Sequence, residues 1–315
     1  MNLEHVVEEY AAFRRTLGEK FGVNGKVLKA FCRAMGEDAA LRDVAPERVS
    51  SFLNGTGPLT ASWHVKHNAL LGFYRYALSR GLVGHSPLPT VIPKRPPAFQ
   101  PYIYSQAELR HLMEATSSYQ RNRGSLEPST VKTLLLLLYG AALRASEVLS
   151  LRNRDVDLTN ALLTVRDSKF FKTRLVPLGP VTTQILIDYA KGRSQCGCSC
   201  EAESPFFVGR KGKKILLNTL EGAFQQLRKH AGLRRDGGPR CQPRLHDLRH
   251  TSAVHRLTAW YREGKDVQLL LPQLSVYMGH AHLAATQVYL TMTPELLHEA
   301  SLRFELYAGR EGHHD

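Results

Sequence analysis

Acidic residues are scarce in this chain relative to basic ones: 28 Asp and Glu stand against 42 Lys and Arg, a formal charge of +14, with a pI near 9.7. The deficit favours a polyanionic partner, nucleic acid before anionic membrane. Long apolar runs are also missing. The longest, from Thr133 to Leu143, is too short to span a bilayer, which sets the membrane reading aside. The N-terminal MNLEHVVEEY is acidic and amphipathic, so no signal-peptide pattern opens the sequence. A cytoplasmic, nucleoid-associated protein is expected. Cysteine is sparse: Cys32, Cys196, Cys198, Cys200 and Cys241. Three of these crowd into CGCSC, spaced more closely than the paired ligands of structural zinc sites and without a clear second half. A reduced surface loop is expected there, and no metal. Repeats and long low-complexity segments are absent as well. What remains is a globular sequence of 315 residues, 43% hydrophobic, long enough for two domains with separate cores.

Residues 1–86 read as helical. Leu3, Val6, Val7, Tyr10 and Phe13 recur at helical spacing, and Val27, Leu28 and Phe31 mark a second helix. The clearest helix runs from Thr60 to Arg80, with Trp63, Leu70, Leu71, Tyr74 and Leu78 as its apolar stripe and Gly81 as its stop. Lys66 and Arg75 lie largely off that stripe, on a face suited equally to solvent or to a phosphate backbone. Six of the sixteen prolines then fall between Pro87 and Pro101. Proline lacks a backbone donor and restricts the residue before it, so residues 87–104 read as a stiff extended linker carrying Lys94 and Arg95. The domain boundary is placed there.

Beyond the linker, residues 105–315 read as mainly α with one small antiparallel β-sheet. Ser105 is the expected N-cap of a helix, with Glu108 three residues on. A buried helix follows over VKTLLLLLYGAALRASEVLSL. ALLTV and TRLVPL alternate as two strands of a hairpin, with the basic, aromatic RDSKFFK at its tip. Helix returns at 181–190 and again through Phe224 and Leu227. Between Arg210 and Arg244 there are ten Lys or Arg and two acids, a tract including Arg210, Lys211, Lys213 and Lys214 that favours DNA contact over a solvated loop. The tail carries Leu296, Leu297, Ala300, Phe304 and Tyr307 at helical spacing.

Six residues have the chemistry for exchanging phosphodiesters without a metal. Such a reaction needs fixed cations on the non-bridging oxygens, best supplied by the planar arginine fork. It also needs a nucleophile that conserves the energy of the broken bond and an acid for the departing oxygen. Arg144 and Arg249 are the candidate cations, Tyr289 the candidate nucleophile, and Lys169, His246 and His280 the candidate proton donors and phosphate ligands. His246 and Arg249, three apart, share a helix face. His280 and Tyr289 are nine apart, half a turn out of phase on a continuous helix. The Gly279-His280-Ala281-His282 segment must therefore break the helix if both are to reach one pocket.

In this order the residues resemble the tyrosine recombinase/integrase family, including Xer-like recombinases. LRASE resembles its first Arg box, KFFKTRLVPL its Lys-bearing hairpin, HDLRH its H-x-x-R box, and GHAHLAATQVY the Gly-His box that ends on the nucleophilic Tyr. The resemblance spans roughly residues 105–307 and implies a catalytic domain there, with 1–86 as a helical core-binding domain. It implies that Tyr289 forms a 3′-phosphotyrosine, that Arg144 and Arg249 clamp the phosphate, and that Lys169 protonates the leaving 5′ oxygen. Lys172 is the second choice for that acid and otherwise a backbone contact. His246 is to assist proton transfer at the Tyr, and His280 to bond the phosphate. Double-stranded DNA and a tetramer on it are the implied partners, with the tail helix docked on a neighbour and no cofactor required. Ala142 departs from the Gly common in the family, and Phe170-Phe171 from its Gly-Asn hairpin. A type IB topoisomerase and a non-cleaving DNA-binding regulator are the alternatives.

Overall fold

The computed structural model describes the chain apart from residues 20, 37, 97–99, 119–125, 167–172, 196–197, 239–240 and 312–315 and the side chains of 306–311. Lys169, Lys172 and Cys196 thus lie outside the described residues. The chain divides into two compact units, Met1–Phe99 and Gln100–Asp315.

The first unit is helical: α1 (Leu3–Thr16), α2 (Gly22–Met35), α3 (Pro46–Asn54) and α4 (Ala61–Ser79). Asn2 caps α1 by accepting from the amides of Glu4 and His5, and Thr60 caps α4 by accepting from Ser62. Gly81, in the left-handed region at φ +67°, follows the end of α4. The core joins Leu3, Val6 and Tyr10 of α1 to Leu28 and Phe31 of α2 and to Trp63, Leu70, Phe73 and Tyr74 of α4. α4 is contacted by α1, α2 and α3 together, so its buried face is wider than one stripe and takes in His67, Phe73 and Ala77, while Leu78 and Phe13 are left exposed. Lys66 departs from its expected role. Its ammonium donates to the Phe52 carbonyl at 2.6 Å and stands 4.6 Å from the Phe52 ring centroid, so it ties α4 to α3 rather than facing outward. Arg75 is exposed.

The second unit begins with α5 (Gln106–Ala115), closed by the expected capping box: Glu108 N–H donates to Ser105 Oγ, and Ser105 N–H to Glu108 Oε2. The long buried helix expected next is two helices, α6 (Pro128–Gly140) and the short α7 (Ala145–Val148). Ala142 lies between them in the left-handed region at φ +49°, which is why glycine suits this position and why the helix cannot run through it. The sheet has three antiparallel strands in sequence order: β1 (Val156–Asp157), β2 (Leu162–Val165) and β3 (Arg174–Pro177). Leu163 pairs with Val176 and Val165 with Arg174. Helices α8 (Pro180–Gln195), α9 (Leu217–His230), α10 (Asp247–Arg262) and α11 (Val267–Met278) follow. The short α12 (Ala284–Gln287) runs into a 3₁₀ turn (Val288–Thr291), and α13 (Pro294–Glu311) is the last described helix.

One core gathers α5, α6, the sheet, α8 and α9; a second gathers Ala253, Val254 and Leu257 of α10 with Leu271, Leu274, Met278, Tyr289 and Leu296. The tail helix α13 packs against α10 of its own chain. Leu296 is fully buried there, Arg262 pairs with Glu295 and Glu299, and Arg303 donates to the carbonyls of Gly264 and Lys265 at the end of α10. Leu297 and Phe304, expected on its apolar side, are exposed. Among the described residues, no helix is long and apolar enough to cross a membrane, and no cluster of three His, Cys, Asp or Glu is placed to hold a metal.

Candidate active site

Glu147 is the anchor from which the site is built. Its carboxylate is buried on α7 and accepts four hydrogen bonds. Arg144 gives two, from its backbone N–H at 3.0 Å and its Nη1 at 2.8 Å. Arg174 gives the other two, from Nη1 at 3.0 Å and Nη2 at 2.8 Å. Burial alone would raise the pKa of Glu147, but the bonds from Arg174 and Arg144 outweigh it and hold the carboxyl at about 2. The pairing leaves Arg144 Nη2 to donate to the Gly279 carbonyl at 3.1 Å. Arg174 Nε donates to the Tyr277 carbonyl at 3.1 Å. Two cations and one carboxylate thereby fix α7 and β3 to the turn that ends α11.

That turn is where sequence spacing requires a break. Gly279 ends α11 in the left-handed region at φ +70°. A Cβ there would also lie 2.6 Å from Arg174 Nη1 and 2.8 Å from its Cζ, so glycine is required for two independent reasons. After the turn the chain folds back, and the rings of His280 and Tyr289 lie 6.1 Å apart between centroids. His280 shares a 2.7 Å hydrogen bond through Nδ1 with Thr286, itself fully buried. Burial, then the charges of Arg249, Arg144 and Arg174, lower His280 to about 4, so it is a neutral imidazole at physiological pH.

Arg249 projects inward from the first turn of α10 and is only 1% exposed. It donates to the carbonyls of Ala142 and Met278, so the break between α6 and α7 and the end of α11 converge on one guanidinium. Burial, then the neighbouring Arg144, lowers it to about 10, and it remains a cation at neutral pH. His246, immediately before α10, is exposed. Although its surface is partly open, the protein around its ring displaces enough water, and Arg249 adds enough charge, to hold it below the usual histidine range.

Tyr289 sits in the 3₁₀ turn, 3% exposed. Its hydroxyl makes a 3.1 Å hydrogen bond to Nδ1 of His250. Burial raises its pKa above the ordinary tyrosine value, and Arg249 and Arg144 pull it part of the way back. The structure therefore gathers Arg144, Arg249, His246, His280 and Tyr289 around the Gly279 turn. Sequence reasoning missed His250 and Arg174. Both had a signal: His250 is one helical turn beyond His246, and Arg174 shares a strand face with the buried Val176.

The basic tract lies beside this site. A groove of about 1190 Å³ runs between α9 and the segment leading to α10. Arg228, Lys229, Arg234, Arg244 and finally His246 line it. Lys211, Lys213 and Lys214 are exposed on a turn, while Arg210 pairs with Glu127 at 2.8 Å. Lys94 and Arg95 are exposed in the Pro-rich segment.

Residues 104–295 match the phage integrase family. A Sinorhizobium fredii protein named as an integrase/recombinase, y4rE, is 36% identical over 96% of each chain. Tyrosine recombinase XerC of Lacticaseibacillus casei is 30% identical over 84% of each. Among solved structures, the Tn1549 transposon integrase in complex with a circular intermediate DNA shares the fold, with a TM-score of 0.69 and 15% identity over 95% of this chain and 99% of that one. A lambda integrase dimer bound to a core site follows with a TM-score of 0.67 and 18% identity over 93% and 78%. The chain belongs to the phage integrase family, whose members are tyrosine recombinases. Within that class it is a site-specific, tyrosine-type DNA recombinase.

Proposed function

We propose that Tyr289 attacks a scissile phosphate and forms a 3′-phosphotyrosine, freeing a 5′-hydroxyl. Arg144 and Arg249 carry the charge that builds on the non-bridging oxygens, which fixed donors meet without reorganising. His280, neutral, hydrogen-bonds the same phosphate. Lys169 protonates the leaving 5′ oxygen, and His246 takes part in proton transfer at the mouth of the site. The 5′-hydroxyl of a partner strand then attacks the phosphotyrosine and reverses the step. The covalent link keeps the energy of the broken bond, so no ATP is needed. One observation carries this reading: both candidate clamp arginines are fixed to backbone carbonyls of the Gly279 region, Arg144 to Gly279 and Arg249 to Met278, beside the residues that carry His280 and Tyr289.

The partner is double-stranded DNA with specific recombination sites, reached in the cytoplasm and in association with the nucleoid. Residues 1–86 form the core-binding domain, joined through 87–104 to the catalytic domain at 105–315. Lys94 and Arg95 of the linker, Arg75, and the exposed Lys211, Lys213 and Lys214 meet phosphates, with Arg210 and Lys172 alongside. Exchange of two strand pairs requires four protomers on DNA. The test is a suicide DNA substrate whose cleaved strand cannot be rejoined. Wild type is expected to accumulate a covalent protein–DNA adduct and Tyr289→Phe none, with DNA affinity unchanged within a few-fold because binding rests on many phosphate contacts. An adduct formed by Tyr289→Phe would remove Tyr289 from the role.

A further inference from the structure

The hydroxyl that is to become the nucleophile touches His250, not His246. Three ring contacts run in series: His246 against His250 at 4.7 Å between centroids, His250 against Tyr289 at 5.5 Å, and Tyr289 against His280 at 6.1 Å. Only His250 has a ring nitrogen at hydrogen-bonding distance from the Tyr289 oxygen among the bonds described, at 3.1 Å through Nδ1. We infer that His250 is a catalytic residue of this enzyme: it holds the Tyr289 hydroxyl and takes its proton as the phenol oxygen bonds to phosphorus.

The inference rests on Tyr289 being the nucleophile. In the forward step the O–H bond of Tyr289 breaks and its proton passes to His250 Nδ1. The Tyr–O–P bond forms, the P–O5′ bond breaks, and the general acid protonates the departing 5′ oxygen. In the return step the 5′-hydroxyl gives its proton to the same general acid, now acting as base, as the P–O5′ bond forms; the Tyr–O–P bond breaks and the imidazolium returns its proton to the departing phenolate. The charge balance around His250 suits this. From α10 and the segment before it, His246, Asp247, Arg244 and Arg249 act on it, and from the 3₁₀ turn Tyr289 faces it. Burial, then His246, lowers it to about 4, with Arg244 and Arg249 adding and Asp247 opposing. It is thus a neutral imidazole, and in the tautomer that carries its proton on Nε2 it accepts at Nδ1. A phosphate brought against Arg249 offsets one of the cations that depress it, so its basicity rises when substrate is bound.

Two measurements test this. In ¹⁵N-histidine NMR without DNA, the His250 Nδ1 resonance is expected to move between wild type and Tyr289→Phe, which deletes only the hydroxyl. An unmoved resonance would overturn the contact. On the suicide substrate, His250→Ala is expected to slow adduct formation on the order of a hundredfold at pH 7. The wild-type rate is to be nearly flat from pH 6 to 9, whereas the variant's climbs with pH because Tyr289 must ionise unaided. His250→Asn, which keeps a hydrogen-bonding atom near the Nδ1 position but no base, is expected to stay slow, and free imidazole is expected to speed His250→Ala. Wild-type rate and flat profile in His250→Asn would overturn the inference and leave Tyr289 in place. An adduct formed by Tyr289→Phe, or none formed by wild type, would overturn the nucleophile assignment and this inference with it.

Discussion

At the scale of single residues, Glu147 is the group on which both faces of the site depend. Replacing it with Gln removes a charge facing Arg144 and Arg174 and puts an amide donor against their N–H groups. Its carboxyl sits at about 2, against an ordinary value near 4.5, a displacement worth about 3 kcal/mol of folding stability. Because the folded value is depressed, that stability is complete above pH ~4.5 and is lost as pH falls toward ~2. Glu147→Gln is expected to be about 3 kcal/mol less stable than wild type at pH 7, with the two urea-unfolding curves converging as pH drops below ~4.5. A constant gap over that range would mean the loss is one of packing. Much of this site was legible beforehand. The order Arg144, His246, Arg249, His280, Tyr289 stands in the sequence, and the nine-residue spacing after Gly279 demanded a turn. The grip of Arg174 on Glu147 was not legible, because the two are 27 residues apart and meet only once β3 is laid against α7.

Between elements, the break from α6 to α7 is the feature that reading by periodicity passes over. Leucines continue through it, and their spacing alone reads as one helix; only the backbone shows Ala142 at φ +49°. The same limit applies to α4: Trp63, Leu70 and Tyr74 of the expected stripe are buried, but three helices pack on α4 at once and the buried face extends beyond it. Two effects compete at Ala142. Left-handed backbone costs a non-glycine residue roughly 1–2 kcal/mol, and burying a methyl returns about 0.8 kcal/mol. Ala142→Gly is therefore expected to unfold within about 1 kcal/mol of wild type. Ala142→Val adds a β-branch to the same backbone inside a filled core and is expected to lose roughly 3 kcal/mol. It should also lower the cleavage rate, since the Ala142 carbonyl holds Arg249. Chemical denaturation and adduct assays on both variants check the pair.

At the scale of the whole molecule, the buried clusters divide as the chain does. The core of the first unit draws its buried residues from Leu3 to Ala77, and those of the second from Tyr104 to Leu296. Among the described residues, each buried cluster draws its side chains from a single unit. Limited proteolysis is expected to cut first between residues 87 and 104 and to release two fragments, each with its own cooperative unfolding transition. Mass spectrometry of the fragments and circular dichroism of each check this. Loss of cooperative unfolding in the larger fragment would show that the second unit depends on the first.

The turn at Gly279 also constrains how this sequence can drift. A side chain at 279 needs Arg174 to move, and Arg174 cannot shorten without releasing Glu147 and the Arg144 that Glu147 orients. Positions 279 and 174 are therefore epistatic: a change tolerated at one depends on the residue at the other. The left-handed backbone at 279 penalises even the double change. Lineages descended from this chain are held at glycine there by an arginine more than a hundred residues away in sequence.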